Sequence, residues 1–418
     1  MKKEILIFCV IVSLLMLTSV QVTAKGGRIH AGKLKIIPGL TVEEIYDDNI
    51  YLGNGTNRTT ELEESDWITH IKPGVMLDYG FAGQRGGLTL GYQADLAYYA
   101  DNDRNDWKNH TGIFGLNYAA PGGLFFGFNN VYTNAEDPYG SDSQYKLGVA
   151  QTKRWDNDLK SKLGFVFSNR FKVTGFYNYF RQDYKERADF SQDYDDNEFG
   201  AGLDIKLFPK TWGFIRYHYG ERDYYSHPAI VNGVATNSTG RNDADLNWHR
   251  VNTGLTWDSG AKLSGEVNFG YQWWDYDNRL DPAGNRYKDK DTWIAATAVN
   301  FEATQTTTLS LSIWRTVKIT GSNTKEYYED TGVGLNLEQV FLTKFTLSVS
   351  GSYSSNDYNM PVVKKKKNDN YGAGIGLSYD IQDWLSAGVK YSYSKKDSNY
   401  RADEYSDNQF SMSVSLVY

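Results

Sequence analysis

Few residues in this chain are arranged for chemistry. Six histidines stand at positions 30, 70, 110, 218, 227 and 249, and no two share a metal-ligand spacing. No Gly-x-Ser-x-Gly turn occurs, and the single cysteine, Cys9, lies in an apolar N-terminal run. "DNDRND" (101–106) and "DYDDNE" (193–198) carry acids like those of calcium loops. Both lack the Gly and the closing Glu of an EF-hand, so they read as solvated loops. "KKKK" (364–367) reads as a basic loop tip, with anionic lipopolysaccharide or an acidic polymer as the sharper option. No enzyme, metal or cofactor is expected.

The remaining polar chemistry is spread along the chain inside strictly alternating segments. Asp95, Asp204, Lys206, Arg216, Arg250, Glu266, Lys318, Glu338, Asp380 and Lys390 all fall on the polar phase. So do the rings of Phe176, Phe180, Trp212, Phe214, Trp274 and Trp314. Charges of both signs among Gly, Ser, Thr and Asn require water, since buried unpaired charge is costly. Rings in such surroundings could stack on sugar faces; they could equally pack a folded loop.

Alternation places these residues. Trp67, Thr69, Ile71, Pro73, Val75, Leu77 and Tyr79 share one face and His70, Lys72, Gly74 and Asp78 the other. Similar runs surround Leu88, Leu203, Val267, Leu311, Ile375 and Leu416. Period two over about ten residues is the signature of a strand. Short turns such as "FAGQRGG" (81–87), "SNR" (168–170) and "FPKT" (208–211) alternate with long polar loops, among them 46–66, 134–144, 225–242 and 276–288. Short turns at one rim and long loops at the other describe an outer-membrane barrel. The expected fold is all-β: a transmembrane antiparallel up-and-down barrel of about 18 strands, with 16 the alternative. Leu34–Ile45 opens it and 405–418 closes it. The closing segment carries Phe410, Met412, Val414, Leu416 and Tyr418 on one face and serines on the other. It must pair with the first strand, because lipid cannot satisfy an open edge. A soluble propeller also repeats at about 40 residues but needs four short strands per repeat, against two longer ones here.

Composition agrees. Lys2 and Lys3 precede an apolar run that ends near Ala24, so residues 1–24 read as a cleaved signal peptide and 25–418 as one barrel domain. The chain's net charge is −7; removing the signal's +1 gives −8, which argues against nucleic acid as a partner. The expected location is the bacterial outer membrane. Lipid, lipopolysaccharide and the barrel-insertion machinery are the expected partners there, and polysaccharide or a small solute the expected occupant of the lumen. A 46–66 loop folded inward would instead plug the bore.

"PGLTVEEIYDDNIYL" followed by "SDWITHIKPGVMLDYG" resembles the putative β-barrel porin 2 family, as does the later "LDIKLFPKTWGFIRYHYGERDYY". The resemblance covers nearly the whole chain after the signal. It marks Asp47, Asp48 and Asn49 as motif positions without a role. It also implies export of an exopolysaccharide with a periplasmic export protein docking on the short turns. A passive porin for small solutes, or a structural or surface-interaction barrel with a plugged lumen, are the competing readings.

Overall fold

The computed structural model describes residues 29–56, 62–137, 152–185, 193–225, 227–231, 234–240, 245–257, 262–277, 289–319, 327–358 and 365–418. The signal segment 1–24 and Lys364 lie outside them. A short strand, β1 (Ile29–Ala31), pairs with β2 (Leu34–Asp47). There follow β3 (Asp66–Gly80), β4 (Gly86–Tyr99), β5 (Trp107–Ala119), β6 (Leu124–Asp137), β7 (Thr152–Phe167), β8 (Phe171–Tyr184), β9 (Tyr194–Phe208) and β10 (Thr211–Tyr224). A separate hairpin, β11 (His227–Val231) and β12 (Val234–Gly240), occupies the long loop expected at 225–242. The wall continues with β13 (Leu246–Trp257), β14 (Leu263–Tyr276), β15 (Lys290–Glu302), β16 (Thr307–Ile319), β17 (Tyr327–Phe341), β18 (Phe345–Tyr358), β19 (Lys367–Gln382), β20 (Leu385–Ser398) and β21 (Tyr405–Val417).

Each wall strand pairs antiparallel with its sequence neighbour, and β21 pairs with β2 from Val417–Gly39 to Gln409–Asp47. The result is a closed 18-strand antiparallel barrel. Closure follows from the sequence rule that no strand edge can face lipid. Turn chemistry fits the hairpins. Ser168 and Asn169 both adopt positive φ (51° and 56°), the handedness that matches the twist of flanking strands. The β3–β4 register omits Pro73, which has no N–H to give that neighbour.

Directly opposed residues share a face, so the registers assign the two surfaces. Leu203 stands between Val173 and Ile215, Val267 opposite Leu255, and Ile375 opposite Val349. Leu203 is 38%, Val267 38% and Ile375 51% exposed, marking the apolar outer surface. Leu88 is opposite exposed Tyr79, Leu311 opposite exposed Leu335, and Leu416 opposite exposed Leu40, so all six expected outward positions lie on that surface.

Two expectations need correction. "DYDDNE" is no solvated loop: it begins β9, with Asp193, Tyr194 and Asp196 buried. Tyrosines near strand ends of a membrane barrel are expected in an interfacial girdle, yet Tyr184, Tyr224 and Tyr276 are buried; Tyr224 and Tyr276 join Phe180, Tyr194, Trp248, Trp274, Val317 and Tyr327 in one cluster. Their even phase places them inside, where ring packs on ring instead of on lipid.

Candidate functional site: the lumen wall and the closing seam

All ten charged positions singled out above fall on the inward phase of their strands, and the structure gathers several of them on one wall. Asp204 on β9 is 3.2 Å from Lys172 on β8 and 3.8 Å from Arg216 on β10. Arg216 donates through Nη1 to both oxygens of Glu266 on β14, each at 3.0 Å. One tier further toward the long loops, Glu198 lies 2.8 Å from Arg250 and 2.6 Å from His218 Nδ1. Above that, Arg222 donates from Nε to Asp196 at 3.0 Å. Each guanidinium also stands over a ring: Arg216 at 3.8 Å from the Phe214 centroid, Arg250 at 5.0 Å from Trp248, Arg222 at 4.5 Å from Tyr194. The planar cation gains from the ring's quadrupole while its carboxylate partner balances its charge.

The other charged positions are scattered. An Asp95 carboxylate oxygen lies 2.8 Å from His70 Nδ1 and accepts when that nitrogen carries the proton. Lys206 stands over Trp212 at 5.3 Å. Lys318 is buried and paired with Asp330, which also accepts from Trp314 Nε1 at 3.1 Å. Asn336 donates to Glu338 at 3.4 Å. Asp380 lies opposite Ser386 near the short-turn rim, and Lys390 opposite Gly376 and Ser411.

The facing wall carries mostly small residues. On β18, Ser348, Ser350, Ser352 and Ser354 stand opposite Gly376, Gly374, Gly372 and Asn370 on β19. Ser392 and Ser394 on β20, then Ser411, Ser413 and Ser415 on β21, continue it. One side of the lumen is therefore an arginine-carboxylate ladder backed by rings; the other is mainly hydroxyls and glycines, with Lys390 among them.

The candidate stacking rings have specific seats. Phe180, Phe214 and Trp274 are buried, and Phe176 stacks on His218 at 5.6 Å. Inward glycines hold the neighbouring rings. A Cβ on Gly220 would lie 2.0 Å from Trp248, and one on Gly332 2.2 Å from Trp314. Gly220→Val must therefore displace Trp248, at a cost of about 1–3 kcal/mol from overpacking. A red-shifted tryptophan emission and a lowered unfolding midpoint are the expected readouts.

Two cavities meet at Trp314. One, of about 370 Å³, is lined by the ladder residues Arg216, Arg222, Arg250, Glu198 and Glu266 with Trp248 and Trp274. The other, about 630 Å³, reaches across to Asp47, Ile50, Ser352, Ser354 and Asp407. The first part of the 46–66 loop does turn inward. Ile50 is buried against Ile68 and Ala97, with Ile45, Tyr99 and Trp107 around it.

The motif acids lie at the junction of the first and last strands. Asp48 accepts from Asn408 N–H and Nδ2, both at 2.7 Å, and its own N–H donates to the Asn408 carbonyl at 3.1 Å. Asp47 accepts from Asn49 N–H at 2.8 Å and from Gln409 Nε2 at 2.9 Å. Asn49 Nδ2 donates to the carbonyls of Gly53 and Ser406, each at 2.8 Å. The three residues latch the seam and turn the loop over it. Residues 24–418 match the description Putative beta-barrel porin 2. The chain belongs to this family. As in an outer-membrane porin, its polar residues are gathered inside and its apolar ones outside.

Porin-family membership accords with this closed barrel. Solved structures with a related shape include Pseudomonas aeruginosa OpdO, at 13% identity over 91% of this chain and 97% of that one, TM-score 0.49. P. aeruginosa OpdK matches at 9% identity over 92% and 99%, TM-score 0.48, and Acinetobacter baumannii OccAB4 at 12% over 92% and 98%, TM-score 0.45. No curated protein matches the chain significantly.

The sequence alone does not mark Asp196, Glu198, His218 and Arg222 as partners in the ladder. Their inward phase is visible in the alternation, but Glu198 meets Arg250 across the intervening strand β10, a contact no local spacing encodes.

Proposed function

We propose that this porin-family barrel carries carbohydrate through the outer membrane, and that its cargo is an exopolysaccharide leaving the cell. The observation that supports this reading is the pairing of the ladder. Arg216, Arg222 and Arg250 each have a carboxylate partner, so this wall offers hydrogen-bonding groups with little net charge. A neutral polyhydroxylated chain can exchange hydrogen bonds with such a wall and slide over the serine-glycine face opposite. A periplasmic export protein would dock on the short-turn rim, at 81–87, 168–170 and 208–211.

A passive porin for small solutes is the second reading. It is favoured by the ring cluster around Trp274 and by Ile50 on the opposite inner wall, which crowd the long-loop end of the bore. Deleting the gene separates the two. Loss of one surface polysaccharide with normal growth on small sugars is the expected result. Unchanged polymer with slowed uptake of a small solute would make the protein a porin. The coarser reading has its own test: in planar bilayers, the barrel should conduct with weak preference between cations and anions. Strong selectivity for one sign would overturn the charge-balanced lumen.

A further inference from the structure

We propose that Asp47, Asp48 and Asp407 hold a calcium ion that staples the last strand of the barrel to the first. Each offers a carboxylate oxygen, and these oxygens lie within 4.8 Å of one another. Two oxygens sharing one Ca²⁺ at about 2.4 Å stand at most about 5 Å apart. Asp47 is 6% and Asp407 5% exposed. Like charges so placed repel strongly unless a counter-charge joins them. Among the described residues no lysine or arginine forms an ion pair with any of the three; Lys396, nearby on β20, has its ammonium 4.8 Å over the Tyr405 ring.

A second observation points to a ligand. Asp407 Oδ1 is fully enclosed and has no hydrogen-bond partner, while its Oδ2 accepts from Gln409 at 3.2 Å. Asp66, directly opposite Asp47 on β3, shows how this chain satisfies a buried carboxylate without an ion. Its oxygens accept the N–H groups of Trp67 at 2.7 Å, Asp101 at 3.1 Å and Asn102 at 3.0 Å. Asp407 Oδ1 has no donor at hydrogen-bond distance; the groups beside Asp407 are Ser394, opposite it on β20, and Asp47 itself. An enclosed acceptor without a donor, beside two further carboxylates, is a coordination position.

The donor set selects the ion. All three ligands are hard oxygens, with no imidazole or thiolate, which disfavours zinc and copper. The seam supplies its oxygens from the end of β2 and from β21, a spread-out set that suits the flexible coordination of Ca²⁺ better than the strict octahedron of Mg²⁺. The 630 Å³ cavity reaches Asp47 and Asp407 and gives the ion a path from the lumen. The consequence is structural. The β2–β21 junction joins strands at opposite ends of the sequence, with no connecting turn, and the ion would hold it at the end where the loops are long.

The test uses the full chain, folded in detergent and stripped with EDTA. Calorimetric titration with CaCl₂ is expected to show one site per chain, and Ca²⁺ is expected to raise the temperature at which the heat-modifiable band unfolds. Asp407→Asn and Asp47→Asn should each abolish both responses, while Asp103→Asn, in the adjacent loop, keeps them. Absence of binding by the wild-type chain overturns the proposal without recourse to any variant. So does binding retained in Asp407→Asn. Stability that changes with pH but not with Ca²⁺ or EDTA also overturns it, since Asp47 and Asp407 would then share a proton.

Discussion

Removing Phe410–Tyr418 is expected to leave no folded barrel in the outer membrane. These residues make most of β21, which pairs with β20 through Tyr391–Phe410 to Leu385–Leu416 and with β2 through Tyr46–Phe410 to Gly39–Val417. Their loss exposes the backbone of β2 and β20 together. In lipid neither edge finds water, and each unsatisfied N–H or C=O costs several kcal/mol. The truncation also removes the outward run Phe410, Met412, Val414, Leu416 and Tyr418, and with it the Thr41–Ser415 hydroxyl contact of 2.8 Å across the seam. Periplasmic degradation in place of heat-modifiable barrel is the expected readout on a gel of outer-membrane fractions. Normal amounts of barrel would mean that β20 can close on β2 directly, and the account of the seam would be wrong.

A charge on the lipid surface is the second large effect. The outward residues of β9 run Leu207, Ile205, Leu203, Ala201 and Phe199, an apolar stripe centred on Leu203. Leu203→Arg places a guanidinium near the membrane midplane, at a cost of about 2–4 kcal/mol. Ser350→Arg makes the matching change on the other surface, where Ser350 faces Asn336 and Gly374 and is exposed to the lumen. It should leave stability near that of the wild type. Reversible denaturant unfolding in lipid vesicles measures both. Equal costs at the two positions would contradict the assignment of faces, since inside and outside differ only in their solvent.

The ladder shows where reading from sequence stops. Glu266 and Arg216 are both assigned to the lumen by alternation alone, because an extended backbone turns every second side chain to the same face. Their contact, one Arg216 nitrogen shared between both Glu266 oxygens, joins β14 to β10 across β13, and depends on how far the strands tilt on closing. The inward rings show the same limit. Trp274 is legible as inward, yet a sequence read as open, small-residue lumen overlooks that Gly220 and Gly332 are small because Trp248 and Trp314 lie across them.

What the sequence determined by itself is therefore the wall: the middle of most strands, the two faces there, the short and long rims, and a count that requires the last strand to meet the first. Period-two alternation is imposed by backbone geometry and by two different solvents, so it is written locally in every strand. Only the tertiary structure decided which charges balance one another, which glycines are filled, and what the Asp47–Asp48–Asn49 motif does. Asp48 finds Asn408 across 360 positions of sequence. That meeting is created by barrel closure, which brings together two chain ends that share no local signal.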